Sequence, residues 1–240
     1  MKYGTLAFIA ASLAAPPVLA EGGWIVGIIA GGGQDPYVGA DDSVGAIPYI
    51  AYETEKFHIG LDEFRYYAYD DGSLSIDAFL TPQFAPDMPD TALFAGLERD
   101  DTVDAGISAT YNFGQMYALA SVQGDITGEY DGFSGQVALG YEAEIGKLTV
   151  DASAGIEYRD ANFNNYLYGV SAAEATASRA VFDMSDTTNA FAEISATIPV
   201  GAQSFLIGAV SYADLDDAVK SPLVEDDSQI GVLLGFGYQF

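Results

Sequence analysis

The chain ends in Gln229-Ile-Gly-Val-Leu-Leu-Gly-Phe-Gly-Tyr-Gln-Phe240, and the reading of this stretch decides the fold. Counted back from the end, every second residue is apolar: Phe240, Tyr238, Phe236, Leu234, Val232 and Ile230. The residues between are Gln239, Gly237, Gly235, Leu233, Gly231 and Gln229, small or polar apart from Leu233. A β-strand sends alternate side chains to opposite faces, so this strand has one greasy and one wettable side. In a soluble sandwich the greasy side would carry Val, Ile and Leu into a core. Here it closes on aromatics, as a strand anchored at a membrane interface does. A tilted strand of about ten residues also matches an outer-membrane span. Phe236, Tyr238 and Phe240 are therefore expected to serve as membrane anchor and assembly signal.

The same alternation runs upstream. Leu148, Val150, Ala152, Ala154, Ile156 and Tyr158 alternate with Thr149, Asp151, Ser153, Gly155, Glu157 and Arg159. Across the Gly146-Lys147 turn, Val137, Leu139, Tyr141, Ala143 and Ile145 alternate with residues that include Glu142 and Glu144. Such strict period-two patterning marks half-buried strands. Further strands are expected at Trp24–Gly33, Ile47–Tyr52, Leu74–Leu80, Asp104–Phe113, Met116–Asp125, Thr188–Val200 and Gln203–Ala213. Between Phe57 and Ala68 the apolar phase slips by one residue at Asp62-Glu63, which predicts a single strand with a bulge. Residues 82–102 contain Pro82, Pro86 and Pro89, and proline cannot donate to a ladder. A short strand at Thr91–Leu97 brings the count to twelve, and the even number returns both chain ends to one side.

Connections alternate in length. Glu53–Lys56, Gly114-Gln115, Gly146-Lys147 and Gly201-Ala202 are short, whereas the long connections carry most of the acid, including Asp100, Asp101, Asp125, Asp183, Asp214, Asp217 and Glu225 to Asp227. Short inner turns opposite long outer loops are the plan of a membrane barrel. The expectation is a single all-β domain over residues 21–240, a transmembrane antiparallel up-and-down barrel of about twelve strands. Residues 1–20 read as a signal peptide: Lys2, an apolar stretch Leu6 to Ala15, and Val18-Leu19-Ala20 at the cleavage site.

Composition bounds the function. The 240 residues carry 8 Lys+Arg against 35 Asp+Glu, a formal net charge of −27. Nucleic-acid binding depends on cations that neutralise phosphate, so no nucleic-acid partner is expected. The chain has no Cys, which removes disulfides, zinc–thiolate sites and cysteine nucleophiles. Gly31-Gly32-Gly33 is followed by neither a Lys-Ser/Thr pair nor a helix signal, so it is no phosphate loop. No cofactor or dedicated metal site is expected, and the acidic rim is read as a solvated surface that lies beside outer-membrane lipid and bridges lipopolysaccharide through divalent ions.

His58 is the only histidine. A hydrolase would need it as a base, yet it lies beside the short Glu53–Lys56 turn at the inner end, and a lumen or rim histidine is the expectation. The chain is read as non-enzymatic. Lumen-facing charges are expected at Asp62, Arg65, Asp77, Glu142, Glu144, Asp151, Glu157, Arg159 and Glu193. They either fill the lumen with neutralised pairs or line a cation-preferring path.

Several loop motifs resemble the MltA-interacting protein family (MipA/OmpV) of Gram-negative outer membranes. They are Pro36-Tyr37 with Gly39-Ala40-Asp41 before Ile47-Pro-Tyr-Ile-Ala-Tyr52, Gln123-Gly-Asp-Ile-Thr-Gly128 with Asp131-Gly132, Tyr166-Leu-Tyr-Gly-Val170, and Ser221-Pro-Leu-Val224 ahead of the aromatic ending. The resemblance covers most of the chain in order, and residues 82–102 depart from it. It implies an outer-membrane barrel acting as a scaffold that joins a periplasmic murein lytic transglycosylase to a peptidoglycan synthase. The alternative it implies is a narrow porin-like channel or a surface-exposed adhesin.

Overall fold

A computed structural model describes residues 22–215 and 217–240; the expected signal peptide lies outside them. Twelve antiparallel strands close into one barrel: β1 (Gly23–Gly33), β2 (Ser43–Glu53), β3 (Phe57–Gly60), β4 (Phe64–Asp70), β5 (Leu74–Gln83), β6 (Thr102–Phe113), β7 (Met116–Asp125), β8 (Phe133–Ile145), β9 (Leu148–Arg159), β10 (Thr187–Pro199), β11 (Ser204–Asp214) and β12 (Ser228–Gln239). Each pairs with its sequence neighbour, and β1 closes the ring on β12.

The C-terminal strand follows its pattern residue by residue. Ile230, Val232, Leu234, Phe236 and Phe240 are exposed on the outer wall, while Gln229, Gly231, Leu233, Gly235, Gly237 and Gln239 are buried inside. Val137, Leu139, Ile156, Ile194 and Val210 are likewise exposed outward. A continuous apolar belt of this size is stable only when lipid covers it. The interior is fitted together by rings lying over glycines. A Cβ built on Gly106 would stand 2.3 Å from Phe79 Cζ, one on Gly237 2.2 Å from Phe205 Cζ, and one on Gly140 2.0 Å from Tyr117 Cζ. The missing side chain on one strand is the seat for the inward ring of the next.

The twelfth strand is not where the sequence pattern placed it. Thr91–Leu97 is a turn-rich segment, tied by Phe94 N donating to Thr91 O and Leu97 N to Phe94 O, and Phe94 is buried in the outer cap. The additional strand comes instead from the phase slip at Asp62-Glu63. This is not a bulge within one strand but a hairpin tip: Gly60 N donates to Glu63 O, and Phe57, His58 and Ile59 pair with Tyr66, Arg65 and Phe64. A tight reversal of four residues shifts the apolar phase as a bulge does, so the two look alike in a linear pattern.

Short turns join the strands at the end where β1 begins and β12 finishes. At the other end the connections 34–42, 84–101, 160–186 and 215–227 fold into a cap. Its core contains Tyr37, Phe94, Tyr168, Val170, Met184, Leu215, Leu223 and Val224. Within the cap, α1 (Ala161–Tyr168) starts where the Asp160 carboxylate accepts from Phe163 N at 2.9 Å. Arg179 is fully buried there and donates to the carbonyls of Leu93, Ala95 and Glu174. Arg99 binds the carbonyls of Tyr166 and Gly169 and the Glu174 carboxylate. Burial pushes the Tyr37 hydroxyl well above the usual phenol range, and this hydroxyl donates to Leu167 O at 2.9 Å.

Candidate functional site: the capped lumen

The lumen is a cavity of about 940 Å³, roofed by Asp35, Pro36, Tyr37, Phe163, Tyr166 and Tyr168 from the underside of the cap. Among its described lining residues, nine carboxylates (Asp35, Glu53, Asp62, Glu63, Asp70, Asp77, Asp87, Glu157 and Glu193) face Arg65, Arg159 and His58.

The densest cluster grows from the β3–β4 hairpin. His58 Nδ1 lies 2.8 Å from Glu53 Oε2 and its Nε2 lies 3.2 Å from Asp62 Oδ1. Glu53 also accepts from Tyr67 Oη at 2.9 Å, and Asp62 from Tyr49 Oη at 3.3 Å. With a carboxylate on each ring nitrogen, a protonated ring would donate at both, and in that form it has no lone pair with which to deprotonate a nucleophile. This geometry makes His58 a latch between the Glu53–Phe57 turn and the hairpin tip. Next to it, Glu63 grips Arg65 bidentately at 2.6 and 2.7 Å, while Arg65 also reaches Ser108 at 3.0 Å and Asp77 at 3.5 Å. The guanidinium stacks 5.0 Å from the Phe79 centroid.

Of the charges expected to face inward, Asp62, Arg65, Asp77, Glu157, Arg159 and Glu193 line the cavity. Arg159 is buried, paired with Glu157 at 2.7 Å, and stacked on Phe163. Asp151 sits lower on the same wall and accepts from Tyr117 Oη at 2.9 Å. Glu142 pairs with Asp151 and Glu144 with Thr149 across β8 and β9, both near the terminal end and exposed. The structure thus distributes the expected inward charges among an upper cluster around Arg159, a lateral one around Arg65, and a lower acidic rim.

Pattern reading missed Glu53, Glu63 and Asp104. The linear pattern puts Glu53 in a turn and Glu63 in a bulge. Asp104 is fully buried and accepts from Tyr130 Oη, Gln123 and Gln83 at 2.6, 3.1 and 3.4 Å. Its place on the face of Gly106 and Ser108 was the available signal. At the far end of the chain, Tyr238 Oη donates to Gln203 at 2.8 Å and its ring lies 5.0 Å from that of Phe240, tying the last strand to the inner turn.

An apolar outer belt, a polar lumen, short turns at one end and a packed cap at the other define an outer-membrane β-barrel. The chain belongs to the family described as MltA-interacting protein MipA, whose profile matches residues 26–240. It is 29% identical over 227 residues to the MltA-interacting protein of Escherichia coli K12, covering 92% of each chain. It is 27% identical over 225 residues to the outer membrane protein OmpV of Vibrio cholerae, covering 92% of this chain and 88% of that one. Among solved structures it is similar to an outer membrane channel from Pseudomonas putida F1, at 10% identity and a TM-score of 0.49 over 95% of this chain and 99% of that one. The protein resides in the outer membrane of a Gram-negative bacterium.

Proposed function

We propose that this barrel is a non-enzymatic docking protein whose inner rim holds a periplasmic murein lytic transglycosylase beside a peptidoglycan synthase. The observation that carries the reading is the cap: a hydrophobic core drawn from four loops lies across the outer mouth. A mouth filled in this way does not favour free diffusion from outside. The face left for periplasmic partners is the ring of short turns, with Glu55, Lys56 and Lys147 exposed on it. The relative named for interaction with MltA, similar along its whole length, supports the same partner class. Residues 1–20 would direct export and be removed.

Affinity capture from a detergent-solubilised envelope tests this. Recovery of a lytic transglycosylase, lost when Lys56 and Lys147 are both changed to Glu, is the expected result; capture indifferent to every inner-turn substitution overturns it. The surplus of carboxylates over cations in the lumen favours a second reading, a narrow cation-preferring path. Planar-bilayer recordings decide it, since a silent barrel or one without cation preference removes that path.

A further inference from the structure

The barrel wall is incomplete in its outer half. β3 pairs with β2 only at Ala51, Tyr52 and Glu53, because the hairpin turns back at Gly60. On the other flank β4 reaches no higher on β5 than Leu80. Above the tip, Ser43–Ile50 of β2 pairs only with β1, and Thr81–Gln83 of β5 only with β6. At roughly 3.3 Å per residue the single-sided stretch of β2 is about 26 Å long, and the hairpin holds β2 and β5 about 14 Å apart, three strand spacings.

The sequence is built for this gap. Successive residues of a strand direct their amide and carbonyl groups to opposite neighbours. In β2 the even residues address the β3 side, as Thr54 N donating to Phe57 O shows. In β5 the even residues address the β4 side, as Asp71 N donating to Leu74 O shows. Pro48 and Pro82 are both even. Each therefore sets its missing N–H on the free edge of its strand, where no ladder bond is lost. Among the described residues no backbone hydrogen bond leaves the free edge of Val44, Ala46 or Ile50.

The rim is apolar outside, with Val44, Ile50, Leu61, Phe64, Leu80 and Phe84 exposed. Behind it the cavity changes character from side to side. Ile25, Ile29, Phe205 and Ile207 line one wall, while Glu53, Asp62, Glu63 and Asp77 line the other. Ser211, 6% exposed, lies on the cavity lining with its hydroxyl unpaired among the described residues. With the outer mouth roofed, the unpaired β2 and β5 edges make this gap the candidate route from lipid to lumen.

We infer that this gap admits a single-chain amphiphile with a protonated amine head from the outer leaflet, its tail lying on Ile25, Ile29 and Ile207 and its head on the carboxylates of the hairpin side. An ammonium group matches the acidic surplus of the hairpin side; a carboxylate head is repelled. The proposal goes beyond the docking reading and does not depend on it.

The test uses the full processed chain refolded in phospholipid vesicles with dodecylamine carrying a diazirine in its tail. Light is expected to label inward residues such as Ile29, Tyr49 and Ile207. Unlabelled dodecylamine competes, and dodecanoate does not. Gly45 faces inward on the free edge, and a Cβ built there meets nothing within 4 Å. Gly45→Trp therefore fills the opening and is expected to reduce inward labelling about tenfold, the change that ~1.4 kcal/mol makes in a binding constant. Val44→Trp, on the outer face of the same edge, leaves labelling as it was; unboiled-gel mobility verifies that both variants fold. Labels confined to lipid-facing residues such as Ile28 and Leu234 overturn the proposal. So do equal competition by dodecanoate, undiminished labelling of the Gly45→Trp protein, or cross-linking that shows a second copy of the chain paired to the β2 edge.

Discussion

His58 and Asp62, four residues apart in sequence, meet at 3.2 Å because the chain reverses between them. With Glu53 on the other ring nitrogen, the imidazole bridges two carboxylates whose side chains are mostly shielded, 7% and 23% exposed. Removing the bridge leaves those carboxylates facing one another without the imidazole between them, each keeping only neutral tyrosine donors such as Tyr67 and Tyr49. Breaking a buried pair costs about 3–5 kcal/mol, and the partial exposure of His58 and Asp62 lowers this to about 2–3 kcal/mol. His58→Ala should lose that much in urea unfolding followed by gel mobility. A second substitution, Glu53→Gln, should return part of it by removing one uncompensated charge. An unchanged midpoint for His58→Ala would show that the latch carries no stability.

The hairpin also marks what the linear pattern can and cannot disclose. Strands such as β8, β9 and β12 run the full height of the wall with one side in lipid, so their alternation is unbroken and reads directly. The β3–β4 pair turns after four residues, and the slip it leaves at Asp62-Glu63 is the same for a bulge as for a reversal. Thr91–Leu97 misleads in the other direction. Its apolar residues serve the cap, where Phe94 packs edge-on against Tyr37 at 5.9 Å between ring centres. That cap core unites loops far apart in sequence, and no local periodicity encodes it. Arg99 and Arg179 were unreadable for the same reason, since their acceptors are mostly carbonyls of distant loop segments.

Gly106 and Phe79 supply a test of how the lumen is packed. The ring occupies the volume a β-carbon would need, and the Arg65 guanidinium stacks on the same ring. Gly106→Ala should therefore force the ring off its rotamer and disturb the Arg65 network, at about 1–3 kcal/mol for overpacking. Phe79→Ala in the same chain should relieve the ring's part of the clash, leaving the 2.7 Å approach to Val122 O, so the double variant is more stable than the sum of the singles predicts. A double-mutant cycle with zero coupling would place the ring elsewhere.

The two faces of the wall should respond to one substitution in opposite ways. Leu234 is 65% exposed on the outer wall of β12, and Leu234→Arg puts a charge into hydrocarbon at about 2–4 kcal/mol near the midplane. Gln136 faces the acidic lumen from β8. Gln136→Arg there meets Glu157 across the ladder and should change stability by no more than about 0.5 kcal/mol. Refolding yields into vesicles, compared for the two variants, should differ in that order. Equal losses would mean that the outer wall is not in lipid.

The cap should loosen in acid through Glu174. Burial alone would raise this carboxyl, but the Arg99 guanidinium and the Ser171 amide outweigh it and hold it below the ordinary value of 4.5. The lower value in the folded chain means that the native cap binds the proton less well than the unfolded loop does. Its contribution is complete above pH 4.5 and is lost as pH falls through the native value. Because Arg99 also holds the carbonyls of Tyr166 and Gly169, protonation frees one arm of a clamp between the 84–101 and 160–186 connections. Amide protection in α1 and at Val170, corrected for the intrinsic pH dependence of exchange, should therefore fall between pH 5 and pH 3, roughly fivefold for a loss of about 1 kcal/mol in local opening. The strands beneath should not follow. Glu174→Gln should show the faster exchange already at neutral pH, with little further change in acid. If that variant keeps the parent's acid response, another carboxylate governs the cap.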